Sequence, residues 1–170
     1  DFMVACNNLV DDEGELLFAP GGTAPIYADD TYETELFRIA IVGMATPETQ
    51  TKANPALIKG LTFATGDAFT KATADQVAAL KDADVVICLA HLGVDAESAP
   101  YRSTDLYAAV KGIDFIVDGH SHTVMTKGEK GEPIQSTGTA FANIGVIVID
   151  DASKKIESNS LVAVSYTHLR

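Results

Sequence analysis

The chain alternates continuous apolar runs with polar or alanine-rich stretches, and that alternation is its strongest structural signal. Phe2–Cys6 reads as a short strand, followed by NNLVDDEGE, whose Asn, Asp and Gly residues suit a surface connection. GGTAPIYADDT then reads as a loop or edge hairpin. In LFRIAIVGMATPET, Phe37–Val42 predicts a buried strand that ends at Gly43 and leads into a loop stopped by Pro47. The segment TFATGDAFTKATADQVAALKDADVVICLAHLG predicts an alanine-rich helix that places Ala72, Val77, Ala79 and Leu80, then a buried strand over Val85–Leu89. A second helix is expected from about Thr104 to Val110, with Leu106, Ala109 and Val110 on one side and Gly112 as its stop, before a strand over Ile113–Val117.

The order helix, apolar strand, helix, apolar strand is what a βαβ unit writes, because parallel strands covered on both faces lose polar alternation. His91 and His120 then fall just beyond the C-terminal ends of two such strands, the edge where open α/β sheets bind ligands. Downstream, Pro133–Ser136 predicts a short strand and Gly145–Ile149 a firmer one, ending at the turn DDASKK. No element is assigned between that turn and the terminal SYTHLR, and His168 in that tail is given no role.

Composition narrows the class. With 170 residues, 46% hydrophobic and 21% charged, the chain can bury one sizeable core and is read as one globular unit. A net charge of −12 argues against general binding to nucleic-acid polymers or anionic membranes, both of which need a positive surface. Small anionic substrates are still compatible, since bound divalent ions reverse the local field. The apolar runs reach about 5 to 8 residues, too short to span a bilayer. Cys6 and Cys88 both sit in or at the end of apolar runs and read as buried thiols.

The candidate chemistry lies in HLG and DGHSHT. His120 and His122, two residues apart, face one way on an extended segment, whereas a loop would direct them to neighbouring ions. Neutral imidazoles suit zinc and other transition metals, and His91, His120 and His122 share one predicted sheet edge. The competing account is that these are loop histidines satisfied by Asp95 and Asp118. Asp118 reads either as an acceptor for a ligand imidazole or as a solvated loop residue. The chain has no nucleophile elbow, P-loop lysine, CxxC or HExxH pattern. GMATPET could form a phosphate nest, but a strand-ending packing loop is the favoured reading.

FMVACNN, FRIAIVGMATPET, DVVICLAHLG, GIDFIVDGHSHT and PIQSTGTAFANIGVIVID stand in the order found in the bacterial 5′-nucleotidase and 2′,3′-cyclic-nucleotide 2′-phosphodiesterase family. The chain thus resembles the catalytic domain of these calcineurin-like metallophosphoesterases over nearly its whole length. The resemblance implies an α/β fold, part of a metallophosphoesterase β-sandwich flanked by helices. It implies two divalent ions, zinc, manganese or similar, and hydrolysis of a phosphate ester, a 5′-nucleotide or 2′,3′-cyclic nucleotide, by activated water. On the matching positions, His91 and His120 would bind one metal and His122 the other. Asp118 occupies a position that is often glycine in the family and carries no implied ligand role.

The family's earlier motifs, an aspartate and histidine pair, a bridging aspartate and GNH, would precede Asp1, so the expectation is a domain lacking its N-terminal strands. Residues 1–164 are therefore read as part of that catalytic domain, 165–170 as an unassigned tail, and the chain by itself as inactive. A C-terminal substrate domain in the same parent chain and a periplasmic, extracellular or cell-surface location are further implications. Two alternatives stand beside this reading: a hydrolase of the same fold acting on a non-nucleotide substrate, and a noncatalytic α/β interaction module.

Overall fold

The computed structural model describes residues 9–10, 23–26 and 37–165. The predicted strand Phe2–Cys6, with Cys6, and the tail residues 166–170, with His168, lie outside the described residues. Ten strands are present among those described: β1 Leu9–Val10, β2 Thr23–Ile26, β3 Phe37–Ala45, β4 Thr62–Phe63, β5 Val85–His91, β6 Phe115–Asp118, β7 Val124–Met125, β8 Ile134–Thr137, β9 Asn143–Asp150 and β10 Lys155–Ala163. The helices are α1 Thr49–Lys52, α2 Gly66–Ala79 and α3 Ser103–Ala109.

Six strands form one sheet in the order β2-β3-β5-β6-β8-β7. Its centre, β3-β5-β6-β8, is parallel, as the apolar runs of β5 and β6 predicted for that pair, and antiparallel β2 and β7 close its edges. The chain is thus mixed α/β, with helices connecting the parallel strands. Both β3 and β5 run past their expected ends. Ala45 pairs with His91, so the strands remain in register up to the first histidine.

Alternation through the pleat turns Ala40, Val42 and Met44 of β3 and Val86 and Cys88 of β5 into a buried face. Helix α2 covers it with Phe69 and Val77, and α3 with Leu106. Cys88 is fully buried there. The other pleat face is less covered: Leu89 of β5 is 36% exposed, where the continuous apolar run predicted cover on both sides.

β9 and β10 form a separate antiparallel hairpin, tied to the main sheet where Gln135 Nε2 of β8 donates to Asn159 Oδ1 and, at 3.1 Å, to the Ser160 carbonyl. β10 is an element the sequence reading left unassigned, and a register shift between Ile156 and Ser158 explains why. The shift moves the side-chain alternation onto the other face near the start of the strand. Among the described residues no helix is long and apolar enough to cross a membrane.

Candidate metal centre

β3, β5 and β6 are neighbours in the sheet, and at their C-terminal ends stand Glu48 in the loop after β3, His91 as the last residue of β5 and His120 in the loop after β6. Topology alone therefore assembles residues far apart in sequence at the ligand edge.

His91 is the last residue of β5, and its backbone carbonyl accepts a 3.0 Å hydrogen bond from the Thr46 amide of the β3 loop. Gly93, two residues on, adopts φ +77°. A Cβ there would stand 3.1 Å from His120 Cδ2 and 3.3 Å from the Ser121 backbone nitrogen, so glycine is what lets the HLG and GHSH loops touch.

The carboxylate of Asp118, at the end of β6, fastens the same two loops from below. Oδ1 accepts from the amides of Leu92 at 2.9 Å, Gly93 at 3.2 Å and Gly119 at 2.8 Å, and Oδ2 accepts from the Ser103 hydroxyl at 2.6 Å. Asp118 is 7% exposed, so it is no solvated loop residue, and the acceptor contacts described for it are to three amides and a hydroxyl, with no imidazole among them. A buried carboxylate needs several donors, and backbone amides of the tight turn supply them at fixed positions.

With the loops fixed, His91 and His120 converge. His120 Nδ1 lies 3.3 Å from His91 Nε2, and the rings meet edge to face at 63° with centroids 5.0 Å apart. Two nitrogens each about 2.0–2.1 Å from one tetrahedral ion stand roughly 3.3–3.4 Å apart, so this spacing fits a shared ion. The pKa of His91 is held below the ordinary imidazole value of 6.5. Atoms packed about its ring act first and the charge of His120 second, against an upward pull from Asp118. His91 retains surface access, so this effect is softened by solvent.

His122 is placed differently. His120 and His122 both take positive φ, 75° and 55°, so the segment is a coiled loop and the extended-strand geometry does not apply. His122 is exposed, and it bears on His91 only as a third, weaker charge. Among the described residues, no group of three or more His, Cys, Asp or Glu side chains is arranged to hold an ion. Asp95 stays exposed and out of the cluster.

Sequence reasoning missed Glu48. It lies in GMATPET, and its Oε2 stands 3.2 Å from His120 Nε2 while also pairing with the Lys52 ammonium one turn along α1. Lys52 foremost, then the nearby Ser98 hydroxyl and His120, holds the Glu48 carboxyl down to about 2, against the opposing effect of burial. Its other oxygen, Oε1, is buried and has no partner in hydrogen-bond geometry among the described residues. The available signal was an acidic residue just after a strand that ends at the ligand edge.

A cleft of about 460 Å³ is bounded by Val94 and Thr123, which follow the histidine segments in sequence, and by Arg102, Met125, Lys127 and Lys130 among others. Its rim mixes cations with Asp105, Glu129 and Glu132.

The fold is shared with calcineurin-like phosphoesterases, and part of the sequence is similar to a nucleotide phosphoesterase. Over 94 residues, 54% of the chain, it is 33% identical to the trifunctional nucleotide phosphoesterase protein YfkN of Bacillus subtilis, of which the match covers 6%. The crystal structure of the calcineurin-like phosphoesterase YfkN from that organism superposes with a TM-score of 0.75 at 20% identity, over 96% of this chain and 56% of that one. The sulfate thiohydrolase SoxB of Thermus thermophilus shares the fold at a TM-score of 0.70 and 20% identity, over 94% of this chain and 27% of that one. A candidate 5′-nucleotidase from Staphylococcus aureus does so at 0.69 and 21%, over 94% and 32%. The chain thus spans at most about half the length of these relatives. No family model matches it.

Proposed function

We propose that the chain contributes ligands to a two-metal phosphoesterase centre that hydrolyses small phosphate esters, with 5′-nucleotides and 2′,3′-cyclic nucleotides as the substrate class. His91 and His120 hold one divalent ion and His122 contributes to a second. The observation that carries this reading is the 3.3 Å approach of His120 Nδ1 to His91 Nε2 at the C-terminal sheet edge. When bound, zinc or manganese ions supply Lewis-acid polarisation of the phosphoryl group and lower the pKa of water. The chain's own contribution is to keep two imidazoles convergent and His91 neutral near physiological pH, free to act as a donor. Part of a catalytic domain over residues 1–164, a substrate domain elsewhere in the parent chain and a periplasmic, extracellular or cell-surface location belong to the same reading.

Calorimetric titration with Zn2+ or Mn2+ tests it. His91→Ala and His120→Ala are expected to abolish the same binding step, and His122→Ala to spare that step while removing a weaker one. Unchanged binding in all three variants overturns the assignment. Phosphate release is to be assayed with the longest natural reading frame against nucleotides and sugar phosphates. A thiosulfate ester joins the panel because a thiohydrolase shares the fold.

A further inference from the structure

We infer that Glu48 is a positioning residue for His120: by accepting the Nε2–H it fixes the imidazole tautomer and leaves the Nδ1 lone pair on the side shared with His91. The inference rests on the metal reading proposed above and adds to it a residue outside the histidine motifs. A neutral imidazole carries one N–H, and an ionised carboxylate can only accept. The 3.2 Å contact between His120 Nε2 and Glu48 Oε2 therefore places the hydrogen on Nε2. Nδ1 becomes the donor atom for a cation, and it is Nδ1 that lies 3.3 Å from His91 Nε2.

The support behind Glu48 is built to hold that contact. Its amide donates to Thr46 Oγ1 at 3.2 Å, and the Thr46 amide donates to the His91 carbonyl at 3.0 Å, so the turn bearing the carboxylate is registered on the strand bearing the other histidine. Thr46 is 1% exposed, and the Glu48 carbonyl accepts the Lys52 amide at 2.8 Å as α1 begins. The Lys52 ammonium shares Oε2, which has lone pairs for both partners. A carboxylate serving only to pair Lys52 would have no need to leave water, yet Oε1 is buried and the Ser98 hydroxyl also acts on the carboxyl. Acceptors behind a ligating imidazole orient the ring and raise its donor strength, and their loss typically weakens metal binding about 10- to 100-fold.

Long-range 1H–15N NMR of the metal-free 170-residue chain at mildly alkaline pH reads the tautomer directly. The expected result is a pyrrole-like Nε2 and a pyridine-like Nδ1 on His120. Glu48→Ala is expected to redistribute the hydrogen towards Nδ1 and to weaken Zn2+ binding about 10- to 100-fold. Glu48→Gln, whose amide oxygen still accepts, should preserve the tautomer and stay within a few-fold of wild type. A His120 that carries its hydrogen on Nδ1 in the wild type, or is doubly protonated there, overturns the inference. So does a Glu48→Ala chain that keeps both tautomer and affinity while His120→Ala loses the metal, an outcome that leaves the metal reading intact. If His91→Ala and His120→Ala bind Zn2+ like the wild type, the metal reading itself has failed, and this inference fails with it.

Discussion

Among the described residues Asp118 makes no hydrogen bond to an imidazole, yet it fastens the turns that carry two of them. Three amides and one hydroxyl converge on its carboxylate, and they belong to the HLG loop, the GHSH loop and the start of α3. Asp118→Ala would leave those donors facing an apolar hole. The expected loss is about 3 kcal/mol of unfolding free energy, read as a lowered urea midpoint at unchanged slope, with Asp118→Asn losing less. Its identity was legible in the sequence but its role was not, because the direction of a side chain at a strand end depends on the neighbouring loops. Glu48 was hidden for a related reason. It reaches a histidine 72 positions away, and only the adjacency of β3, β5 and β6 brings the two together. The histidines were easier to find, since each follows an apolar run that ends at the ligand edge, though their convergence depended on Gly93 and on backbone turns that no spacing rule supplies.

Among the elements, α3 begins with a reciprocal pair. Asp105 accepts from the Arg102 amide at 3.2 Å and from its guanidinium at 2.8 and 2.7 Å. The Arg102 contact holds the Asp105 carboxyl below its ordinary value of 3.8. As pH falls through that value the unfolded chain takes up the proton first, so the contribution is present above 3.8 and lost as pH drops toward the folded-state value. Melting temperatures measured from neutral to acidic pH should fall less steeply in Asp105→Asn than in wild type, and added salt should narrow the difference, because both side chains are about a third exposed. Elements with uninterrupted apolar runs, β3, β5 and β6, were readable from the sequence with ends a few residues short. β10 was not: its bulge breaks the alternation, and Glu157, Ser158 and Ser160 give it a largely polar, exposed surface.

At the scale of the whole molecule, the hydrophobic surface is distributed unevenly. The helix side of the main sheet is sealed, whereas Ile144, Val146 and Val148 of β9 are 47%, 37% and 42% exposed, with Val162 of β10 opposite Ile144 at 52%. Cross-strand serines at 158 and 160 do nothing to cover the two valines. A contiguous apolar strip of this kind favours self-association, which a net charge of −12 opposes only at low salt. Sedimentation should show concentration-dependent association in wild type that rises with ionic strength and disappears in Val146→Lys with Val148→Lys. Thermal stability should change by no more than about 0.5 kcal/mol, since neither side chain belongs to the core.

The buttress under the histidine loops also sets a rule for transplanting this site. Copying His91 and His120 onto another parallel sheet would deliver two imidazoles on independent loops, free to drift apart. A faithful graft has to carry Asp118, Gly93 and Ser103 as well, together with a strand register that brings the Thr46 turn against His91. The smallest portable unit is therefore three adjacent strand ends, and a short histidine motif lifted out on its own would leave behind the parts that aim it.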